Sequence, residues 1–183
     1  MHHAKILLFL FYALCQELHA QECPCQLEAY IMDEDKTGTN VRDAPNGKVI
    51  KKLILKDRCS LATPIVVHKT EDGWCYMTTN DICVEKVTGW VYGGLIFASL
   101  NFHRLSLAQN KSSNGKIPPI QVFSQSSKLS PLIGKLYKEQ DVSILKCCKE
   151  WVFVKALDKN GKEIRGWVEK RDLCSNPFTT CDD

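Results

Sequence analysis

Tryptophan occurs four times in this 183-residue chain, and the four fall into two pairs of identical spacing. Trp74 and Trp90 are sixteen residues apart, as are Trp151 and Trp167, and corresponding members lie seventy-seven residues apart. The second tryptophan of each pair sits in Gly-Trp-Val, at 89–91 and 166–168. An apolar-rich segment, a polar turn and a returning Gly-Trp-Val segment read as a β-hairpin closed by aromatic rings. Two such hairpins at a fixed interval mean two copies of one small β module, so the chain is expected to be all-β with no helix of useful length.

The start of the chain stands apart from this pattern. Lys5 precedes an apolar run at 6–14, and Ala20 supplies a small residue at a cleavage position, as in a secretory signal at residues 1–20. The run is too short to span a bilayer, and no later stretch is long enough for a membrane helix. Ten cysteines agree with export, since small β modules in oxidising compartments gain stability from disulfides. The localisation expected is periplasmic or extracellular. Nine cysteines remain after cleavage: Cys23, Cys25, Cys59, Cys75, Cys83, Cys147, Cys148, Cys174 and Cys181. An odd count leaves at least one unpaired. Cys75 and Cys83 are candidates to bond across the first hairpin, with Cys59 pairing to Cys23 or Cys25. Cys147 and Cys148 would point to opposite faces of a strand, so they do not bond each other, and at least one is expected to reach Cys174 or Cys181. Zinc is not expected, because Cys23-Pro24-Cys25 and Cys147-Cys148 are spaced too tightly for ligand pairs and histidines are few.

Taken in order, 27–32 reads as a first strand and 33–38 as a charged loop. The stretch 39–50 contains Pro45 and the turn dipeptide Asn46-Gly47, and so reads as strand, turn and strand. Asn40-Val41-Arg42 with Pro45, an apolar strand, Gly73-Trp74 and then Gly89-Trp90-Val91 resemble the bacterial SH3-like domain. That family opens on Asn-Val-Arg with a nearby proline and closes on Gly-Trp-Val. The resemblance implies two small SH3-like β barrels in tandem, found mainly in exported bacterial proteins: one over 21–97, a short linker at 98–116, and a second over 117–183 with its C-terminal tail. In the second copy Gln121-Val122-Phe123 replaces the opening, with neither arginine nor proline, while Trp151-Val152-Phe153-Val154 and Gly166-Trp167-Val168 keep the close.

A search for chemistry finds no catalytic set. Asp57-Arg58-Cys59-Ser60 superficially resembles the nucleophile region of cell-wall cysteine peptidases, but no downstream histidine lies in a recognisable motif and His68 falls within the same small module. A thiolate nucleophile requires a positioned base, so Cys59 reads as structural. No cofactor loop occurs. A formal charge of +3 with scattered basic residues excludes a nucleic-acid stripe. For binding, the resemblance points to the surface between the first loop and the hairpin, where Asn40, Arg42, Trp74, Tyr76 and Tyr92 are candidates. Aromatic faces and a guanidinium suit sugars or peptide carboxylates. Against this stands the packing role that tryptophans more commonly play. Two readings follow: a non-catalytic envelope protein whose partner is a cell-wall glycopeptide or an envelope protein, or a periplasmic inhibitor or immunity protein that blocks a toxin or hydrolase. Protein recovered from the producing cell is expected to lack residues 1–20 by intact-mass measurement; a mass that includes them would overturn the assignment of export.

Overall fold

The computed structural model describes residues 23–35, 37–54, 62–80, 85–101 and 117–174. The expected signal segment, most of the expected linker, and Cys59, Cys83 and Cys181 lie outside them. The chain runs through β1 (Leu27–Ile31), β2 (Thr39–Arg42), β3 (Val49–Leu53), β4 (Thr63–Glu71), β5 (Trp74–Thr79), β6 (Thr88–Tyr92), a 3-10 turn and β7 (Ile96–Leu100). It continues through β8 (Ile120–Phe123), β9 (Leu132–Leu136), β10 (Asp141–Cys148), β11 (Trp151–Leu157), β12 (Glu163–Glu169), a second 3-10 turn and β13 (Leu173–Cys174). The fold is all-β, and no α-helix occurs among the described residues. All thirteen strands belong to one hydrogen-bonded antiparallel sheet.

Side-chain alternation gives the hairpin strands β5 and β11 an inner and an outer face. In β5 Cys75, Met77 and Thr79 are buried, while Trp74, Tyr76 and Thr78 face outward and are half-buried. β11 does the same with Val152, Val154 and Ala156 inside and Trp151, Phe153 and Lys155 outside. The inner faces of both halves meet in one aliphatic core that includes Val41, Val67, Met77 and Val91, then Val122, Ile144, Val154 and Val168. Between β4 and β5 the chain reverses over Asp72 (φ 46°) and Gly73 (φ 80°), the two left-handed residues that a tight hairpin needs.

The repetition extends to the irregularities. Register shifts between Val41 and Arg42, against β3, recur between Val122 and Phe123, against β9. The shift between Val67 and Lys69, against β5, recurs between Ile144 and Lys146, against β11. The glycine of each Gly-Trp-Val is required by a neighbouring strand. A Cβ on Gly89 would meet Val41 Cγ1 at 2.5 Å, and one on Gly166 would meet Val122 Cγ1 at 2.5 Å. Strand crossing at that distance leaves no room for a side chain.

β7 belongs to both repeats. On β1 it pairs Ile96 with Ile31 and Phe97 with Tyr30; on β7 the last strand pairs Leu173 with Leu100 and Cys174 with Ser99. Positions 96 and 97 correspond to 173 and 174, again seventy-seven residues apart. β7 also pairs with β10, as β1 pairs with β4. The junction expected at residues 97 and 98 thus falls inside a strand that closes the first repeat and opens the second. A buried polar contact marks it. The Tyr30 hydroxyl lies 3.3 Å from Ser99 Oγ, which donates to Asp141 Oδ1 at 2.8 Å. Burial pushes the Tyr30 hydroxyl well above the ordinary tyrosine range and keeps it neutral.

The disulfides correct the expected connectivity. Cys23 bonds Cys148 and Cys25 bonds Cys147, so neither Cys147 nor Cys148 reaches Cys174 or Cys181, and Cys59 does not take Cys23 or Cys25. The reason is the β1-β7-β10 order, which brings the segment before β1 beside the end of β10. There the Lys149 amide donates to the Pro24 carbonyl at 2.8 Å and the Cys25 amide to the His68 carbonyl at 3.2 Å. Cys174 is disulfide-bonded as well. Cys75 is a free thiol, which rules out its expected bond to Cys83. It points into the core opposite Val91, where the second repeat pairs Val152 with Val168. Burial pushes its pKa up to about 12, so it acts as a small apolar side chain without nucleophilic character.

The two resolved bridges close nearly the same loop, of 125 and 122 residues in sequence separation. Once one exists, the other closes a ring of only a few residues. Replacing Cys23 and the half-exposed Cys148 by serine is therefore expected to cost about 2 kcal/mol or less, and removing the inner pair as well a further ~5 kcal/mol. Denaturant unfolding of the two variants checks this; a double variant already as unstable as the quadruple would refute it.

Candidate functional site

Strand register places a strip of rings and cations on the outer face of the first repeat. Trp74 stands opposite Tyr92, Tyr76 opposite Trp90, and Trp90 in turn opposite Arg42 of β2. Trp74 and Tyr92 meet edge to face, with centroids 5.8 Å apart, and Tyr76 tilts against Trp90 at 5.4 Å. The Arg42 guanidinium lies 5.6 Å from the Trp74 ring centre. Lys69 Nζ lies 5.3 Å from the Trp90 ring and 6.0 Å from that of Tyr76. Such distances are those at which a cation is drawn to an aromatic face. His68 tilts against Tyr76 at 6.1 Å, and its Nε2 is 2.9 Å from Thr78 Oγ1, which is 3.0 Å from Thr88 Oγ1. A row of hydroxyls thus borders the rings.

Arg42, Trp74, Tyr76 and Tyr92, expected as binding residues, are brought together here. Asn40 shares the half-buried side of β2 with Arg42 and pairs with Lys52 of β3. Arg42 also braces the first loop, its Nη1 donating to the Gly47 carbonyl at 2.6 Å. Among the described residues no carboxylate bridges its guanidinium. Trp90 is 6% exposed and mainly a packing ring, whereas Tyr92 is 55% exposed. Trp90, Lys69 and His68 belong to the strip although the sequence reading did not assign them to it. The signal for Lys69 was hidden by the β4 register shift, which carries it to the side of Tyr76.

The second repeat builds the same surface with different chemistry. Phe123 takes the place of Arg42 opposite Trp167, and its ring meets Trp151 edge to face at 5.6 Å. Phe153 tilts against Trp167 at 5.4 Å, as Tyr76 does against Trp90. Glu169 stands opposite Trp151 where the first repeat has Tyr92. Lys128, from the loop between β8 and β9, bridges Glu169 at 2.9 Å, and Arg171 bridges it at 2.7 Å. Partial burial disfavours the Glu169 charge, but these two cations outweigh it and hold the carboxyl below the usual glutamate range. On the second face ring meets ring and the acid meets two cations; on the first, Tyr92 is exposed. Among the described residues no group of His, Cys, Asp and Glu is arranged to hold a metal ion.

No protein family matches the chain, and no curated protein matches it. Among solved structures, NlpC2 from Trichomonas vaginalis aligns with a TM-score of 0.33 and 10% identity over 82% of this chain. The chain spans 48% of that protein's length, and the likeness is too slight to carry an inference.

Packing and binding roles separate on substitution. Trp90→Ala is expected to cost about 3–5 kcal/mol, as for a large buried ring. Arg42→Ala removes one hydrogen bond at a half-exposed position and costs about 1 kcal/mol. Chemical denaturation compares them directly, and an equal loss from both would show Arg42 to be part of the framework.

Proposed function

We propose that this is an exported, non-catalytic envelope protein built from two SH3-like repeats, which binds a cell-wall glycopeptide or a peptide through the outer face of the first. The observation that carries the reading is the contrast between equivalent faces: Arg42, Trp74 and an exposed Tyr92 in one, Phe123, Trp151 and a bridged Glu169 in the other. Rings offer flat apolar area, and a guanidinium offers directional donors. The cross-linked fold supports an oxidising compartment, where disulfides persist.

A second reading, a periplasmic inhibitor or immunity protein, is favoured by Leu129. It is 97% exposed at the tip of a turn that bonds to itself: the Ser130 amide and hydroxyl both donate to the Ser127 carbonyl, at 3.1 and 2.7 Å. A fixed apolar knob suits a pocket on another protein.

Sedimentation of the full-length oxidised protein with purified sacculi tests the first reading. Wild type and Phe123→Tyr are expected to sediment, and Tyr76→Ala and Trp74→Ala to remain largely in solution. No release of soluble wall fragments is expected. Absence of wild-type sedimentation, with a one-to-one complex formed on an envelope protein, would replace this reading by the second.

A further inference from the structure

The two repeats furnish equivalent positions differently: Glu169 stands where the first repeat has Tyr92, and Arg42 where the second has Phe123. In the second, a carboxylate from Glu169 sits beside Trp151 and is held by Lys128 and Arg171. In the first, Tyr92 replaces that acid and its ring lies against Gly94, where a Cβ would meet Tyr92 Cε1 at 2.5 Å. Gly94 and Arg171 are again seventy-seven residues apart, so the first repeat lacks both the acid and one cation that binds it. What it has is Arg42, 5.6 Å from the Trp74 ring centre and held through one nitrogen by the Gly47 carbonyl. A guanidinium carries five N–H donors, so most remain for another acceptor. The six-residue loop between β2 and β3, with Asp43 turned back toward Gly47, contributes no bridging acid.

We infer that the first repeat takes a ligand carboxylate beside Arg42, along the Trp74–Tyr92 edge. The inference rests on the reading of this face as the binding surface and narrows its ligand to a peptide bearing a free carboxylate. Trp74 and Tyr92 hold the apolar part next to that charge.

Two measurements on the full-length oxidised protein test it. The first needs no ligand: Tyr92→Glu restores the acid that the second repeat carries. By NMR titration its carboxyl is expected to fall about one pH unit below the usual glutamate value, and to return on Arg42→Gln. Ordinary titration in both backgrounds would overturn the inference. The second uses muramyl dipeptide and the same compound with its carboxylate amidated. Amidation and Arg42→Gln are each expected to weaken binding about tenfold, without adding to one another. Equal affinity for acid and amide, or no binding of either at millimolar concentration, overturns it. If sacculi are bound but Arg42→Gln changes nothing, the carboxylate inference fails and the wall-binding reading stands. If sacculi are not bound while the acid is still preferred over its amide, the wall target fails and the carboxylate site stands.

Discussion

The hydrogen-bonded pairing of β7 is the constraint on which the rest of the molecule depends. One five-residue strand receives β1 on one side and β10 on the other, and the short β13 completes its ladder. It cannot be removed from either repeat without leaving the other with an open edge. Ala98 and Leu100 are fully buried, so the strand is also the seam where the two aliphatic cores become one. Two repeats joined by a flexible tether would move independently. Two repeats that share a strand cannot do so without breaking a buried ladder, and unpaired buried backbone groups are costly.

The twin disulfides reinforce the same seam from the side. They connect the segment before the first strand to the end of β10, across the β1-β7-β10 junction. Thr70 adds a further link, its Oγ1 accepting from the Cys147 amide at 3.0 Å. Gly93 donates its amide to the Gly73 carbonyl at 2.8 Å, and a Cβ there would also meet the Ile144 carbonyl at 3.0 Å. The first hairpin's turn, the 3-10 turn after β6 and the second repeat therefore touch within a few residues. Because that hairpin begins its return strand with Trp74, the aromatic strip is anchored at the end nearest the seam.

Much of the framework was legible in the sequence, and for identifiable reasons. The tryptophan spacing marked both closing hairpins because a two-residue alternation leaves little freedom in which face a ring occupies. Asn40-Val41-Arg42 and Pro45 marked the opening strand and its turn, and the side chains of Arg42, Trp74, Tyr76 and Tyr92 do share one face. What could not be read depended on contacts between distant segments. Cys23-Pro24-Cys25 faces Cys147-Cys148 only because β7 lies between β1 and β10. Cys75 reads as a partner for a nearby cysteine until its inward direction is known. Lys69 has the parity of Val67 in the sequence, so alternation assigns it to the core; one bulged residue, His68, reverses that assignment.

The repeated residues and the chemically informative residues are different sets. Gly89 and Gly166, and Val91 and Val168, recur because the strand crossing and the core require them in both halves. Such residues describe a fold and say little about a ligand. The differences say more: Arg42 against Phe123, Tyr92 against Glu169, Gly94 against Arg171. Each alters what the outer face presents while leaving the register intact, since the backbone pairings on either side of them correspond. In the second repeat the substitutions close on one another, ring on ring and acid on two bases, so that surface is internally satisfied. In the first, the Arg42 guanidinium contacts the Trp74 ring and the Gly47 carbonyl. These differences between the two copies of one scaffold are what support the proposed binding role of the first repeat.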